Sequence, residues 1–222
     1  MLVGHYALAL AAKKAAPKTS LGMLIAASAF VVLIWPLFLA RGLERVAIEP
    51  GNTAFTPLNF VYYPISHSLL MTVLWSVFFG LLYFRIRRYR TGAIVLGLLV
   101  ISHWFLDAIV HRPDLPLTPW SSELIGLGLW NSVPATLAVE LAMFAAGVWI
   151  YTRTTQARNA VGSWAFMGFV AFTLAIYFAN AFGPPPPSVN AIILGGVGVQ
   201  LFFIALAAWL DRNRRLRGAT QP

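Results

Sequence analysis

Long apolar segments separated by short polar ones dominate the chain. Six full-length apolar runs occupy residues 21–40, 66–84, 91–111, 124–151, 161–182 and 189–210. A helix rises about 1.5 Å per residue and the hydrocarbon core of a bilayer is about 30 Å thick, so each run is long enough to cross a membrane. Residues 1–12 are apolar but too short to cross as a helix. The pattern predicts an all-α integral membrane protein with about six transmembrane helices plus a short N-terminal re-entrant or interfacial helix, forming one membrane domain over residues 1–222.

Local signals and composition refine this assignment. Ser66 is a candidate N-cap, Pro134 predicts a kink in the fourth run, and residues 184–187 form a proline-rich joint. Hydrophobic residues make up 59% of the 222 residues and charged residues only 10%, whereas soluble domains carry about 25% charge. The absence of cysteine excludes disulfides and thiolate metal sites.

The basic residues predict the orientation in the membrane. The chain has 16 lysines and arginines, and they stand in short clusters between the apolar runs. With six spans, only Arg41, Arg45 and Arg112 lie on the side opposite the other thirteen. Because cytoplasmic loops are enriched in lysine and arginine, both termini are expected in the cytoplasm. The same clustering favours contact with membrane lipid and no nucleic acid as partner.

Ionisable groups inside the apolar runs are the candidate chemistry. His103, Asp107 and His111 are four residues apart, so they share one face of the third helix. Two imidazoles and a carboxylate suit zinc or another divalent metal. At about 1.5 Å per helical residue, His103 in the third run and Glu140 in the fourth each lie about 20 Å from the basic side of the membrane. The ionisable groups of the two runs are therefore expected at similar depths. The candidate metal ligands are His5, His67, His103, Asp107, His111 and Glu140, with Asp107 and Glu140 also the candidate catalytic residues.

Other interpretations of these groups stay open at this stage. A single buried histidine is often a hydrogen-bonded core residue, and Glu140 can serve as an outer partner of a histidine. The same cluster can act as a relay in an ion or proton transporter. Covalent acyl chemistry has little support, because the chain has no cysteine and no GxSxG motif.

Two motifs carry a family resemblance. They are YPISHSLL at residues 63–70 and SHWFLD at residues 102–107 followed by HRPD at residues 111–114. Together with His5 they resemble the bacterial inner-membrane proteins known as metal-dependent hydrolases, a family similar to zinc-dependent phospholipase C and the single-strand-specific zinc nucleases. The resemblance covers the first two-thirds of the chain.

The resemblance implies a metal site and a hydrolytic activity. By this resemblance His5, His67, His103 and Asp107 match ligand positions for one or two divalent ions, and a lipid or lipid-linked phosphoester is the expected substrate. Where such proteins tend to carry an aspartate before the Trp35-Pro36 pair, residues 30–34 are all apolar. The missing carboxylate predicts a smaller metal complement, and it keeps open a catalytically weakened structural or assembly protein.

Overall fold

A computed structural model describes residues 1–218 and confirms the all-α membrane architecture. The helices of this part of the chain are α1 (Leu2–Ala15), α2 (Leu21–Ser28), α3 (Phe30–Ala40), α4 (Pro64–His67), α5 (Leu69–Arg87), α6 (Arg90–Val110), α7 (Val133–Thr154), α8 (Ala160–Phe182) and α9 (Val189–Arg212). Three antiparallel two-stranded ribbons complete it: β1 (Arg45–Ile48) with β2 (Leu58–Tyr62), β3 (Leu115–Pro116) with β4 (Leu124–Ile125), and β5 (Thr155–Ala157) with β6 (Arg214–Leu216).

Five of the described helices are long and apolar enough to span a membrane, and a bent pair can supply a sixth. The five are α5 to α9, and the pair is α2 with α3, which meet at Ala29 with a bend of 52°. The apolar run at residues 21–40 is therefore two helices, a break that hydropathy does not reveal. The hydroxyl of Ser28 donates to the carbonyl of Ile25 at 3.0 Å, a local bond typical of helix ends.

The predicted kink at Pro134 is wrong. Pro134 lies in the first turn of α7, where the missing N–H group leaves no intrahelical bond unmade. The helix begins at Val133 rather than near residue 124, because residues 124–125 form β4 and Leu129–Asn131 form a 3-10 turn. Ser66 does not cap α5 either; the side chain of Ser68 does so by accepting from Met71 N–H at 3.3 Å.

Helix α1 lies inside the bundle, where it packs against α7, α2 and α6. Its 14 residues are about 21 Å long, less than a bilayer thickness. At its C-terminal end Lys13 forms a partly buried ion pair with Asp211 of α9 at 2.8 Å. At its other end, Met1 and His5 reach Asp107 near the end of α6. The short helix thus runs from the basic end of the bundle into its middle.

Close backbone contact between α1 and α7 depends on Gly147. A Cβ atom at this position would lie 2.5 Å from the carbonyl oxygen of Ala7, so α1 and α7 would have to separate. We expect Gly147→Ala to lower stability by about 1–3 kcal/mol, measured by thermal unfolding in detergent micelles. Gly168→Ala is the matched control because nothing lies within 4 Å of its Cβ. An equal loss in both variants would contradict the predicted packing.

The two ends of the bundle differ in charge. Lys18 lies over the ring of Tyr89, the Arg214 guanidinium donates to Thr155, and Lys13 pairs with Asp211, so four basic segments lie at one end. The β1–β2 and β3–β4 ribbons form the other end, where Arg112 donates to Asn59 at 2.6 Å. The buried histidines lie towards this second end.

Candidate metal centre

Asp107 is the centre of the polar cluster. Its Oδ1 atom lies 3.1 Å from His5 Nε2 and 3.1 Å from the Met1 amino nitrogen. Its Oδ2 atom lies 3.0 Å from His103 Nε2 and 3.9 Å from His111 Nε2. The side chains of all four partners are at most 5% exposed. Helices α1 and α6 therefore bring three predicted histidines to one predicted carboxylate.

The contact between His103 and Asp107 needs a cation. His103 Nδ1 lies 3.0 Å from the backbone carbonyl of Ser28, which only accepts, so Nδ1 carries the ring proton. In the neutral ring Nε2 then presents a lone pair, and it faces an acidic oxygen that also only accepts. Nε2 has no partner in hydrogen-bonding geometry among the described residues, although Oδ2 is 3.0 Å away. Two facing acceptors are stable only with a proton or a metal ion between them or bound to both.

The ring of His111 is oriented by a carboxylate, as that of His103 is by a backbone carbonyl. Its Nδ1 lies 2.9 Å from Asp114 Oδ1, and the Tyr63 hydroxyl donates to the same oxygen at 2.6 Å. With Asp114 ionised, Nδ1 is the donor, so His111 Nε2 directs its lone pair towards Asp107. Metal-binding histidines typically donate their second nitrogen to a carboxylate or a backbone carbonyl. His103 and His111 both meet this criterion.

His67 is oriented by Glu44, a buried residue that the sequence pattern did not indicate. His67 Nδ1 lies 2.6 Å from Ser66 Oγ, and Ser66 Oγ donates to Glu44 Oε2 at 2.6 Å. Glu44 Oε1 also accepts from the backbone N–H groups of Ile65 and Ser66 at 2.8 and 2.7 Å. Burial raises the pKa of Glu44, and its hydrogen bonds with Ser66 and Ile65 oppose that rise. Glu44 thus fixes the first turn of α4 and, through Ser66, the ring of His67.

His5 stacks on His103, with ring centroids 3.8 Å apart and an interplanar angle of 6°. His67 approaches His103 edge-on, with a centroid distance of 5.6 Å. Positive charge on two imidazoles this close is unfavourable. The neutral imidazole is the form that binds a metal.

A buried cavity of about 170 Å³ adjoins these groups. Four of the six predicted residues line it: His5, His67, Asp107 and His111. Val32 also lines it, so an apolar side chain borders the cavity from the segment where the resembling proteins tend to carry an acid. The aromatic side chains of Trp35 and Phe60 also line the cavity.

Glu140 is buried but stands apart from the ligand group. Neither of its carboxylate oxygens has a hydrogen-bond partner within residues 1–218, and the same holds for Trp130 Nε1 and Tyr177 Oη. These groups are neighbours, and Gly4 of α1 is close by. Its role as a ligand or catalytic acid stays a prediction.

The residues present fit a divalent ion. One ligand atom each from His5, His103 and Asp107 all lie within 4.8 Å of one another. Two imidazoles and a carboxylate are a common donor set for zinc, and an orphaned His103 Nε2 points into it. His67 and His111 lie on the rim of the same cavity as candidates to complete the coordination.

Of the residues that support the histidines, only Asp114 left a signal in the sequence. Asp114 belongs to the HRPD motif, so its spacing of three from His111 was a usable signal. Glu44 had none, because its partners lie 21 and 22 positions further along the chain. The carbonyl of Ser28 reaches His103 across 75 positions.

Comparison with known proteins identifies a family. A family model described as YdjM inner membrane protein matches residues 63–182, which include α4 to α8 and both sequence motifs. No curated protein and no solved structure matches the chain. The match covers more than half of the chain and agrees with its apolar helices. The chain is therefore a multi-pass inner-membrane protein and belongs to the YdjM inner membrane protein family.

Proposed function

We propose that the chain is a membrane-embedded, metal-dependent hydrolase that acts on a lipid or lipid-linked phosphoester from the non-cytoplasmic side. The observation that carries the proposal is the meeting of His103 Nε2 and Asp107 Oδ2, two acceptors 3.0 Å apart in a buried site. A zinc-like divalent ion bound to both removes this conflict, and the neighbouring histidines supply further ligands.

Each residue of the centre has a distinct task in this proposal. His5, His103 and Asp107 hold one ion, and His67 and His111 complete its coordination or contribute to a second. Ser28, Asp114 and the Ser66–Glu44 pair hold the ring nitrogens that face away from the ion. A bound divalent ion would provide a nucleophilic water at neutral pH and polarise a phosphoryl oxygen.

Glu140 is the proposed proton carrier. It is a buried carboxylate beside Trp130 and Tyr177, and no metal ligand among the described residues forms a hydrogen bond with its oxygens. Asp107 is committed to His5 and the metal, which leaves Glu140 for this task. An active centre about 20 Å from the basic loops lies towards the opposite leaflet. With both termini cytoplasmic, lipid enters from the non-cytoplasmic side.

Turnover by the zinc-loaded protein tests the proposal. We expect the zinc-loaded protein to hydrolyse bis(p-nitrophenyl) phosphate, or phosphatidylglycerol in mixed micelles. The rate is measured from the amount of product released. Glu140→Gln is expected to lower kcat about 100-fold or more while the zinc content is unchanged. Glu123→Gln, an exposed acid at the loop end, is the control. Zinc bound with no turnover of any phosphoester would contradict the hydrolase and favour a metal-stabilised structural or assembly protein.

A proton or ion relay is the second candidate, because a proton also satisfies the His103–Asp107 contact. Asp107, His111 and Asp114 form a chain of contacts towards the loop end, with distances of 3.9 and 2.9 Å. A relay requires transport in proteoliposomes, with loss of transport in His111→Gln and no bound metal in the wild type. Metal-dependent turnover without transport would exclude it.

A further inference from the structure

A second, more open cavity lies at the loop end of the bundle. This cleft of about 470 Å³ is formed by strand β2, the start of α4 and the segment from Arg112 to Leu124. Its polar lining includes Asn59, Tyr63, Arg112 and Asp114. None of the six predicted site residues lines it, so it is distinct from the buried cavity around Asp107.

Few basic residues lie at this end of the protein, and one of them, an arginine, lines the cleft. Arg41, Arg45 and Arg112 are the basic residues of this end, and Arg112 lines the cleft itself. Arg45 lies over the ring of Tyr62, a second lining residue, at 5.7 Å. Since loops on the non-cytoplasmic side carry few basic residues, an arginine that lines a cleft there indicates an anionic ligand.

The Arg112 guanidinium has donors to spare. Within residues 1–218 it makes one hydrogen bond, from Nη2 to Asn59 Oδ1 at 2.6 Å, and a longer contact from Nε to Asp114 Oδ2 at 3.6 Å. A guanidinium has five N–H donors in a planar fork that matches two phosphate oxygens. Its side chain is 39% exposed, so a ligand in the cleft can reach it.

The cleft adjoins the candidate metal centre. Phe60 lines both cavities, and its ring lies 4.7 Å from that of His111 and 5.5 Å from that of Trp35. Asp114, which lines the cleft, orients His111, which lines the buried cavity. A ligand with its charged group at Arg112 therefore lies one aromatic side chain away from the histidines.

Exposed apolar side chains surround the cleft. Val61, Tyr62 and Leu124 line it and are each more than 40% exposed, and Trp120, between the lining residues Pro119 and Ser121, is 79% exposed. Large apolar groups in a loop at the end of a transmembrane bundle are typical of the membrane interface, where lipid headgroups lie. The cleft is thus placed where a phospholipid can offer its phosphate without leaving the bilayer.

We propose that this cleft binds the phosphate group of a phosphoester, with Arg112 as the principal anion-binding residue. As a substrate subsite it rests on the proposed hydrolase function, whereas binding itself does not require turnover. The phosphate of a membrane lipid and free phosphate share this chemistry, and the exposed apolar rim favours the lipid.

The test is ligand binding by the full chain in neutral maltoside micelles. Dioctanoyl phosphatidylglycerol and inorganic phosphate are titrated separately, and binding is measured by calorimetry. We expect Arg112→Gln to weaken binding about ten-fold or more, and Arg112→Lys to retain part of it. Arg41→Gln is the matched control: it removes the same charge at the same end from an exposed residue that does not line the cleft. It is expected to change affinity less than two-fold.

The outcomes separate the sources of the phosphate and the two proposals. Arg112-dependent binding of the lipid alone identifies a lipid site, and equal dependence for both probes identifies a site for any phosphate. Wild-type protein that binds neither probe, or equal effects of Arg112→Gln and Arg41→Gln, overturns the inference. Zinc measured on the same folded samples reports on the metal centre independently, so a failure of one proposal is not mistaken for a failure of the other.

Discussion

Asp107→Asn is expected to lower zinc affinity by about 100-fold or more. Asp107 contacts both His5 and His103, and it supplies the one carboxylate of the ligand group found in residues 1–218. Loss of an outer partner of a metal ligand typically costs about 10–100-fold in affinity, so loss of the charged ligand itself should cost more. Competition with a chromogenic chelator measures the change.

Two further variants are expected to change zinc affinity less than Asp107→Asn does. Asp114→Asn removes the carboxylate behind His111 and should weaken zinc about 10–100-fold. Glu123→Gln changes the same charge on an exposed residue and should leave zinc unaffected. The proposed geometry is refuted if folded Asp107→Asn binds zinc as tightly as the Glu123→Gln control. Circular dichroism and size-exclusion chromatography establish that each variant is folded.

Glu44→Ala is expected to combine a loss of stability with a loss of metal affinity. Three donors converge on this buried carboxylate: the N–H groups of Ile65 and Ser66 and the Ser66 hydroxyl. Each buried donor left without a partner costs about 1–3 kcal/mol. The two Ser66 donors are fully buried, so the variant should lose about 2–6 kcal/mol and melt at a lower temperature. Because Ser66 also contacts His67 Nδ1, zinc affinity should fall about 10–100-fold.

Comparison with Ser66→Ala separates the two effects. This variant keeps both backbone bonds to Glu44 but removes the hydroxyl that links Glu44 to His67. We expect it to lose metal affinity with a smaller change in melting temperature than Glu44→Ala. Unchanged zinc binding in both variants would show that His67 takes no part in the metal centre.

The sequence predicted the helices well because hydropathy reports each of them locally. Residues 161–182 and 189–210 were within two residues of α8 and α9 at both ends. The bend at Ala29 escaped prediction because α2 and α3 are both apolar and form one continuous hydropathic run. The start of α7 was misplaced because the apolar residues of β4 extend the hydropathic run beyond the helix.

The candidate site was predicted in part for similar reasons. The i, i+4 spacing placed His103, Asp107 and His111 on one face of α6. In the structure, the Nε2 atoms of His103 and His111 lie 3.0 and 3.9 Å from Asp107 Oδ2. The approach of His5 depends on α1 entering the bundle, which a 14-residue apolar segment does not specify by itself. Contacts that join distant segments, such as those of Glu44 and Ser28, depend on the tertiary fold and leave no periodic trace.

The apolar character of residue 32 bears on the number of ions. Val32 lines the cavity and offers no ligand atom, and the compact ligand group identified in residues 1–218 contains three residues. A single tightly bound ion is therefore the expected complement. A second ion would need His67, His111 or Glu140 as ligands.

Zinc content of the wild-type protein is the most direct test of the central claim. The purified protein is incubated with excess zinc in detergent, dialysed against zinc-free buffer and analysed by mass spectrometry and X-ray absorption. The account predicts about one zinc per chain, bound by nitrogen and oxygen at about 2.0–2.2 Å with imidazole among the ligands. Folded protein that retains no zinc above the level of Asp107→Asn would contradict the metal centre and leave the proton relay as the better explanation of the buried cluster.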